Sequence, residues 1–358
     1  MRVWTVRWTH GKTAVTLLML AAAAAALLCL PEASATGMRR GLSICAERLV
    51  PTLFPFLAVS GTVARSGLCE RIGAHLHGLT RRLFGLPDIC AAGILIGFVG
   101  GYPAGASVAA ALVRGGQITR EEGRHMLRFC VNAGPAFLIG TVGAGMLGSP
   151  AAGALLLAAH ISASLCLGLL SRRPPHPKTP PAPPLRPGAA KPLTAAFIEA
   201  VNESAAAMLG MSGFVALAAA LLSVLDALGI PAAVTAAVSG LTEVSLGGLA
   251  VLRGGILTPF WLGLIAGWGG LSVHGQIAVI AAPAGLVSRD FVVARAEHAL
   301  LAGAFSWLLF RAISPSVAVA VSAPAVQPFA GASATGGIAL LGLVAVWLLT
   351  VRRPRRLL

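Results

Sequence analysis

The sequence predicts an all-α, polytopic integral membrane protein, with about eight spanning helices and two broken or re-entrant elements in an inverted repeat. Hydrophobic residues make up 56% of the 358 residues and charged residues only 11%, whereas a soluble domain carries about 25% charged residues. Apolar runs near the length of a membrane span recur along the whole chain. In lipid such runs must be helical, because only a helix satisfies its own backbone polar groups. The basic residues lie mostly in short segments between these runs, as expected of cytoplasmic loops.

The N-terminal region, residues 1–40, is predicted to form a first span. Basic residues precede an apolar run from Ala14 to Leu30, and the small residues Ala-Ser-Ala follow at positions 33–35. The same order is typical of a signal peptide with its cleavage site. Since the run is long for the apolar core of a signal peptide, we interpret it as an uncleaved signal-anchor and leave cleavage open.

The first transmembrane repeat is predicted over residues 41–170. We interpret its Gly-rich stretch Ile89–Val113 as re-entrant, because charge bias favours that topology over a full crossing. Thr119 is a predicted helix N-cap in the charged segment that follows. The other apolar stretches are predicted to span the membrane: Leu42–Val63, Phe129–Leu147 and Ala151–Leu170.

A Pro-rich basic segment, residues 171–192, divides the chain. Its prolines exclude a helix, and its positive charge predicts a cytoplasmic linker. The second transmembrane repeat, residues 193–311, contains a second re-entrant stretch at Ala232–Leu252. Residues 312–358 form a C-terminal region with a basic tail. The remaining predicted spans are Ala195–Leu225, Pro259–Ala282, Val292–Phe310 and, in the C-terminal region, Gly336–Val351.

The two repeats are predicted to have opposite orientations in the membrane. Each repeat consists of a span, a Gly-rich re-entrant element, a broken span and a final span. With this topology, both termini and most of the 27 Lys and Arg residues lie on the cytoplasmic side. Inverted repeats of this kind are the architecture of many secondary transporters.

Four segments interrupt the apolar pattern at matching places in the two repeats. They are Gly97–Ala106 (GFVGGYPAGA), Phe129–Ser149, Ser239–Leu249 and Gly267–Gln276. Gly and Pro inside a span free backbone N–H and C=O groups, which are costly in lipid unless they line a cavity or meet a ligand. The alternative is that small residues only let helices pack closely.

We interpret these interruptions as a substrate site, because paired breaks in two repeats point to a site between them. Backbone groups, hydroxyls, amides and an imidazole would supply its donors and acceptors. The predicted substrate-binding residues are Gly100, Gly101, Tyr102, Pro103, Gly105, Asn132, Gly134, Pro135, Thr242, Glu243, Ser245, Gly269, Gly270, Ser272, His274 and Gln276.

Glu243 is the one acid deep inside an apolar segment. An unpaired carboxylate there costs several kcal/mol, so it indicates function. It could bind a coupling ion, H⁺ or Na⁺, or donate a hydrogen bond to a substrate while protonated. The alternative is a structural hydrogen bond to a broken helix.

The sequence predicts no enzyme activity, no cofactor and no metal site. It lacks nucleotide-binding, zinc-protease and serine-hydrolase motifs, and no second His lies at metal-ligand spacing from His274. The net charge of +15 fits basic loops beside a lipid bilayer. It does not indicate nucleic-acid binding, since no basic stripe is interleaved with aromatic residues. A homo-oligomer is left open.

Five stretches carry a resemblance to a known family. They are RLVPTLFPFLAVSG at Arg48–Gly61, GFVGGYPAGA, the segment Gly116–Ser149 with NAGPAF, LTEVSLGG at Leu241–Gly248 and GGLSVHGQ at Gly269–Gln276. Through these five stretches, which are spread over most of the chain, the chain resembles the sporulation integral membrane protein YlbJ (SpoVV) family. It is also similar to the wider group with a nucleoside-recognition Gate domain, which includes concentrative nucleoside transporters.

The resemblance implies a transporter that moves dipicolinic acid or a similar small carboxylate across the outer forespore membrane. A small-molecule anionic substrate would suit the free N–H groups and positive ends of broken helices. Glu243 would then be a coupling residue and not a direct contact for the anion. Two alternatives remain: a nucleoside-type transporter, implied by the Gate resemblance, and a non-transporting membrane scaffold for spore envelope assembly.

Overall fold

The structure, a computed structural model, describes residues 10–66, 76, 78–172, 191–252 and 258–313. Within these residues it contains helices and turns but no strand, which confirms the predicted all-α class. The proline-rich segment 173–190 and the predicted span Gly336–Val351 lie outside the described residues.

The helices of the first half are α1 (His10–Cys29), α2 (Pro31–Ile44), a π-helical turn (Cys45–Leu49), α3 (Val50–Arg65), α4 (Leu79–Phe84), α5 (Cys90–Gly100), α6 (Tyr102–Arg114), α7 (Arg120–Cys130), a longer π-helix (Ala136–Met146) and α8 (Pro150–Leu170). Those of the second half are α9 (Leu193–Ala227), α10 (Ala232–Thr242), α11 (Val244–Ala250), α12 (Thr258–Trp268), α13 (Gly270–Ala281), a short 3₁₀ turn (Ala282–Ala284) and α14 (Arg289–Ile313).

The second predicted span begins earlier than the sequence indicates. The chain bends by 98° at Leu30, between α1 and α2. Helical structure then continues from Pro31 through the π-helical turn to Arg65, and does not begin at Leu42 as predicted. Proline at the first helical position and Glu32 in the first turn favour a helix start at Pro31, and this local signal was missed because the segment is polar.

Among the described residues, four helical segments are long and apolar enough to cross a membrane. A fifth results if the bent pair formed by α1 and α2 is one span. These findings confirm a polytopic membrane protein, but not the predicted count of about eight spans. The four segments are Pro150–Leu170, Leu193–Ala227, Thr258–Ala284 and Arg289–Ile313.

The predicted interruptions are real chain breaks, and they follow the same order in both halves. The first break of each half separates two short helices, at Gly101 between α5 and α6 and at Glu243 between α10 and α11. The second break follows the next helix: residues 131–135 separate α7 from the π-helix, and Gly269 separates α12 from α13. This order agrees with a repeat, while the opposite orientation of the halves stays a prediction.

Small residues bring neighbouring helices into close contact, both between the two halves and within the second half. α9 packs along α2 and α3, and α14 packs along α12 and α8. A Cβ at Gly41 would lie 2.6 Å from the Cα of Ala216 on α9, and one at Gly267 would lie 2.5 Å from the Cα of Ala299 on α14. Glycine at these positions allows the helices to pack closely. Close packing is the alternative explanation that the sequence analysis gives for small residues within spans.

The predicted N-cap at Thr119 is confirmed. The Thr119 hydroxyl accepts a hydrogen bond from the Glu122 backbone N–H at 3.2 Å, and the Glu122 carboxylate accepts one from the Thr119 N–H at 2.8 Å. This capping box fixes the start of α7, whose other end leads into the chain break at residues 131–135.

Candidate functional site: a cavity between the broken helices

A cavity with about 620 Å³ of empty space, its open side included, lies where the broken elements of both halves meet. Its walls come from α3, α9 and α13, from the π-helix, and from the breaks at Gly101 and Glu243. The cavity therefore joins the two breaks that the sequence places in separate repeats.

More than half of the predicted substrate-binding residues line this cavity. They come from all four interrupted segments, and those of the fourth segment lie on the first turns of α13. The lining residues among those predicted are Gly100, Gly101, Tyr102, Pro103, Gly134, Glu243, Ser245, Ser272 and Gln276. That they contact a substrate stays a prediction.

Glu243 is buried, with 2% of its surface exposed, and it forms the break between α10 and α11. Its extended backbone (φ −148°, ψ 129°) ends α10, and its carboxylate caps α11. One carboxylate oxygen accepts hydrogen bonds from the backbone N–H groups of Ser245 at 2.7 Å and Leu246 at 2.8 Å. The residue thus makes the structural hydrogen bonds of the alternative interpretation and also lines the cavity, so the two interpretations do not exclude each other.

The opposite wall is formed by Gly101 and Tyr102. Gly101 adopts φ 83°, a conformation that side chains disfavour, and this turns the chain between α5 and α6. The Tyr102 hydroxyl donates to the carbonyl oxygen of Ala266 at 2.7 Å. Since that bond ties α6 to α12, the hydroxyl already has a partner and the ring is the part of Tyr102 that lines the cavity.

The cavity is mostly apolar and has a small set of polar side chains. Among its described lining residues there is one acid, Glu243, with Ser245, Ser272 and Gln276 beside it and the Tyr102 hydroxyl bonded elsewhere. No Lys, Arg or His belongs to this described lining. A carboxylate substrate would therefore meet hydroxyl, amide and backbone donors but no cationic side chain.

Two predicted residues, Gly105 and Asn132, are buried and do not line the cavity. A Cβ at Gly105 would overlap the carbonyl oxygen of Cys130, so Gly105 lets α6 approach the end of α7. Asn132 is fully buried, and its side-chain amide donates to the Phe129 carbonyl at 2.7 Å. Both residues therefore have packing or structural hydrogen-bonding roles.

The remaining predicted residues flank the breaks. Pro135 starts the π-helix. Thr242 faces a second, apolar cavity beside α1 and α9, and its hydroxyl donates to Val238 at 2.8 Å. Gly269 and Gly270 have φ 81° and 78°, and His274 lies over Trp268 with 4.2 Å between ring centroids. None of these five is among the lining residues of the cavity between the breaks.

The structure also identifies a residue that the sequence analysis missed. Arg295 falls within the predicted span Val292–Phe310 but was not singled out there; it lies within α14 and is fully buried. Its guanidinium donates to the carbonyl oxygens of Val131 and, at 2.7 Å, of Arg128. The available signal was a basic residue inside a predicted span, and it was weak because Glu297 and His298 follow it closely.

A metal centre is not indicated by the described part of the chain, which holds no cluster of three His, Cys, Asp or Glu side chains placed to bind an ion. The arrangement offers a partly open, largely apolar space with a few polar groups at chain breaks. Such sites suit a small solute that is held at the interface of two halves.

The fold and this cavity define a polytopic helical membrane protein with an internal site between broken helices. The sporulation integral membrane protein YlbJ of Bacillus subtilis (strain 168) is 27% identical to the chain over 324 aligned residues, covering 78% of each protein. This similarity confirms the resemblance at the level of a family relation. No protein-family model matches the chain, and no solved structure matches it. The wider resemblance to Gate-domain proteins stays a prediction.

Proposed function

We propose that the chain is a transporter required for sporulation, which moves dipicolinic acid or a similar small carboxylate across the outer forespore membrane. The observation that carries the proposal is the convergence of two chain breaks, at Gly101 and Glu243, on one cavity. Breaks from two halves that meet at one site are a feature of secondary transporters. The relative's name supports the link to sporulation.

The chemistry of the lining assigns different roles to its polar groups. Ser272 and Gln276 present neutral donors to carboxylate oxygens, and the apolar walls contact the flat ring of the substrate. Glu243 would repel an anion while it is ionised, so transport of a dianion requires that a proton or Na⁺ occupy Glu243 first. Cation and substrate would then bind in an ordered way, with Glu243 as the coupling residue.

The test is uptake by vesicles that contain the purified protein. Labelled dipicolinate should accumulate when an H⁺ or Na⁺ gradient is imposed, and empty vesicles should not accumulate it. Absence of dipicolinate uptake under every gradient, with protein that is folded and correctly inserted, would reject this substrate, and absence of nucleoside uptake as well would favour the membrane scaffold.

A second candidate substrate class is a neutral polar solute such as a nucleoside. It is favoured by one observation, the absence of any Lys, Arg or His from the described lining of the cavity. An uncharged base and ribose could use Gln276 and the serine hydroxyls without opposing Glu243. Uptake of each labelled solute decides between the two: the vesicles should accumulate dipicolinate but not nucleoside if the carboxylate is the substrate, and nucleoside but not dipicolinate if the nucleoside is.

A further inference from the structure

Arg295 is a buried cation that donates its hydrogen bonds to backbone carbonyl groups, and its guanidinium lies 5.9 Å from the centroid of the Phe291 ring on the same helix. It has no exposed surface, and within the described residues no acidic side chain pairs with it. An unpaired buried charge is costly, so the contacts that retain it should serve a purpose. Its two hydrogen bonds reach Arg128 and Val131, more than 160 residues away in the chain.

These two bonds act on the C-terminal end of α7. The last carbonyl groups of a helix lack intrahelical partners, and that end of the helix carries partial negative charge. α7 stops at Cys130, and the backbone becomes extended at Val131 (φ −92°, ψ 96°). Arg295 thus supplies, from α14, both the donors and the positive charge that the end of α7 requires.

Helix α8 holds the same segment from a second direction. The Ser164 hydroxyl donates to the Phe129 carbonyl, and the backbone N–H of Ala133 donates to Nε2 of His160 at 3.0 Å. Side chains of two long helices therefore hold the extended segment Val131–Ala133. Of these side chains, only Arg295 is charged.

The held segment continues directly into the cavity wall. Gly134 lines the cavity, and a Cβ there would lie 3.0 Å from the Gly101 nitrogen and 3.1 Å from the Val99 carbonyl oxygen. The position of the extended segment therefore sets how closely it approaches the break at Gly101. A small shift of Val131 would change the shape of the cavity at this point.

We propose that Arg295 is a positioning residue that clamps the extended segment Val131–Gly134 against the break at Gly101 and so fixes one wall of the substrate cavity. The clamp itself is inferred from the geometry alone. Its effect on substrate binding rests on the proposed transport function. A guanidinium suits this task because its planar fork donates to two carbonyl oxygens at once, which an ammonium cannot do with the same geometry.

Cys130 is a native reporter of the clamp. It is fully buried at the end of α7, so a thiol reagent should modify it slowly in the intact protein. The experiment uses full-length protein in which the other cysteines are replaced, and compares Arg295→Met and Arg295→Lys with the same background. Arg311→Met is the matched control, because Arg311 is exposed at the other end of α14 and lies over Trp307.

Loss of the clamp should raise the rate of Cys130 modification about tenfold or more in Arg295→Met, corresponding to easier local opening. Arg295→Lys should give a smaller increase, and Arg311→Met none. In vesicles, Arg295→Lys should also raise the KM for dipicolinate several-fold with little change in maximal rate, because the wall and not the coupling residue is altered.

The clamp is overturned if Cys130 in folded Arg295→Lys and Arg295→Met is modified no faster than in the background protein. If the methionine variant does not fold, the lysine variant decides, and failure of both to fold would make Arg295 a folding residue instead. Faster modification without transport by the background protein would leave the clamp standing and reject the proposed function. If the background protein transports dipicolinate but Cys130 stays protected in the variants, the clamp is rejected and the proposed function is kept.

Discussion

At the scale of single residues, Glu243 combines a structural and a proposed coupling role. Its carboxylate caps α11 through two backbone N–H groups and lines the cavity. Because both bonds reach the same carboxylate oxygen, the carbonyl oxygen of glutamine in its place can still accept them, but glutamine can neither ionise nor bind a cation strongly. The substitution therefore tests the proposed cation coupling by Glu243 separately from its capping of α11.

We expect Glu243→Gln to lose gradient-driven accumulation of dipicolinate while it retains exchange between the two sides of a vesicle. The matched control is Glu203→Gln, because the Glu203 side chain is 66% exposed and pairs with Arg65. An exposed ion pair contributes about 0–1 kcal/mol, so this control should transport as the wild type does. Wild-type accumulation by Glu243→Gln would contradict the coupling role.

The contrast between Glu243 and Arg295 shows what single residues reveal in a sequence. Glu243 could be singled out because a lone acid in an apolar stretch carries its own signal. Arg295 could not, because it stands near the start of an apolar run, where a basic residue normally marks a loop. Its role depends on carbonyl groups of α7 that become neighbours only after the two halves have packed together.

At the scale of elements, the breaks could be predicted but their packing could not. The predicted interruptions Gly97–Ala106 and Ser239–Leu249 contain the breaks at Gly101 and Glu243, but the sequence did not fix the residue at which each break lies. The sequence did not separate glycines that line the cavity from glycines that allow close packing, because both occur in the same motif. Gly101 and Gly105 are four residues apart, yet one faces the cavity and the other faces Cys130.

We expect Gly105→Ala to lower the stability of the protein, because even a methyl group would overlap the Cys130 carbonyl oxygen. Overpacking of this kind costs about 1–3 kcal/mol. Gly210→Ala is the matched control on α9, where an added Cβ meets nothing within 4 Å and alanine improves helix propensity. Thermal unfolding in detergent should give a lower midpoint for Gly105→Ala and an unchanged or higher one for Gly210→Ala. An unchanged midpoint for Gly105→Ala would show that α6 and α7 can separate at this point.

At the scale of the whole molecule, the described elements agree with the order of the predicted repeats. Each half contains a helix pair broken at a single residue, then a second broken element, then a long apolar helix. The number of crossings and the orientation of the halves depend on the bilayer and on segments outside the described residues, so they remain predictions based on charge.

We expect both termini and the linker 171–192 to face the cytoplasm. Single cysteines at Lys178 and Arg186, in a background without native cysteines, should react with a membrane-impermeant reagent only after the membrane is opened. A reporter fused to either terminus should show the same side. Labelling of either linker cysteine from outside intact cells would contradict the inverted repeat.

The central claim is that the cavity between the two breaks binds the transported carboxylate, and substrate protection tests it most directly. A cysteine replacing Gln276 in the cavity should react about tenfold more slowly when dipicolinate is present at ten times its dissociation constant. A cysteine replacing Leu221, which lines the second cavity, should react at the same rate with and without it. Equal rates at position 276 with and without dipicolinate, in protein that transports it, would contradict the claim.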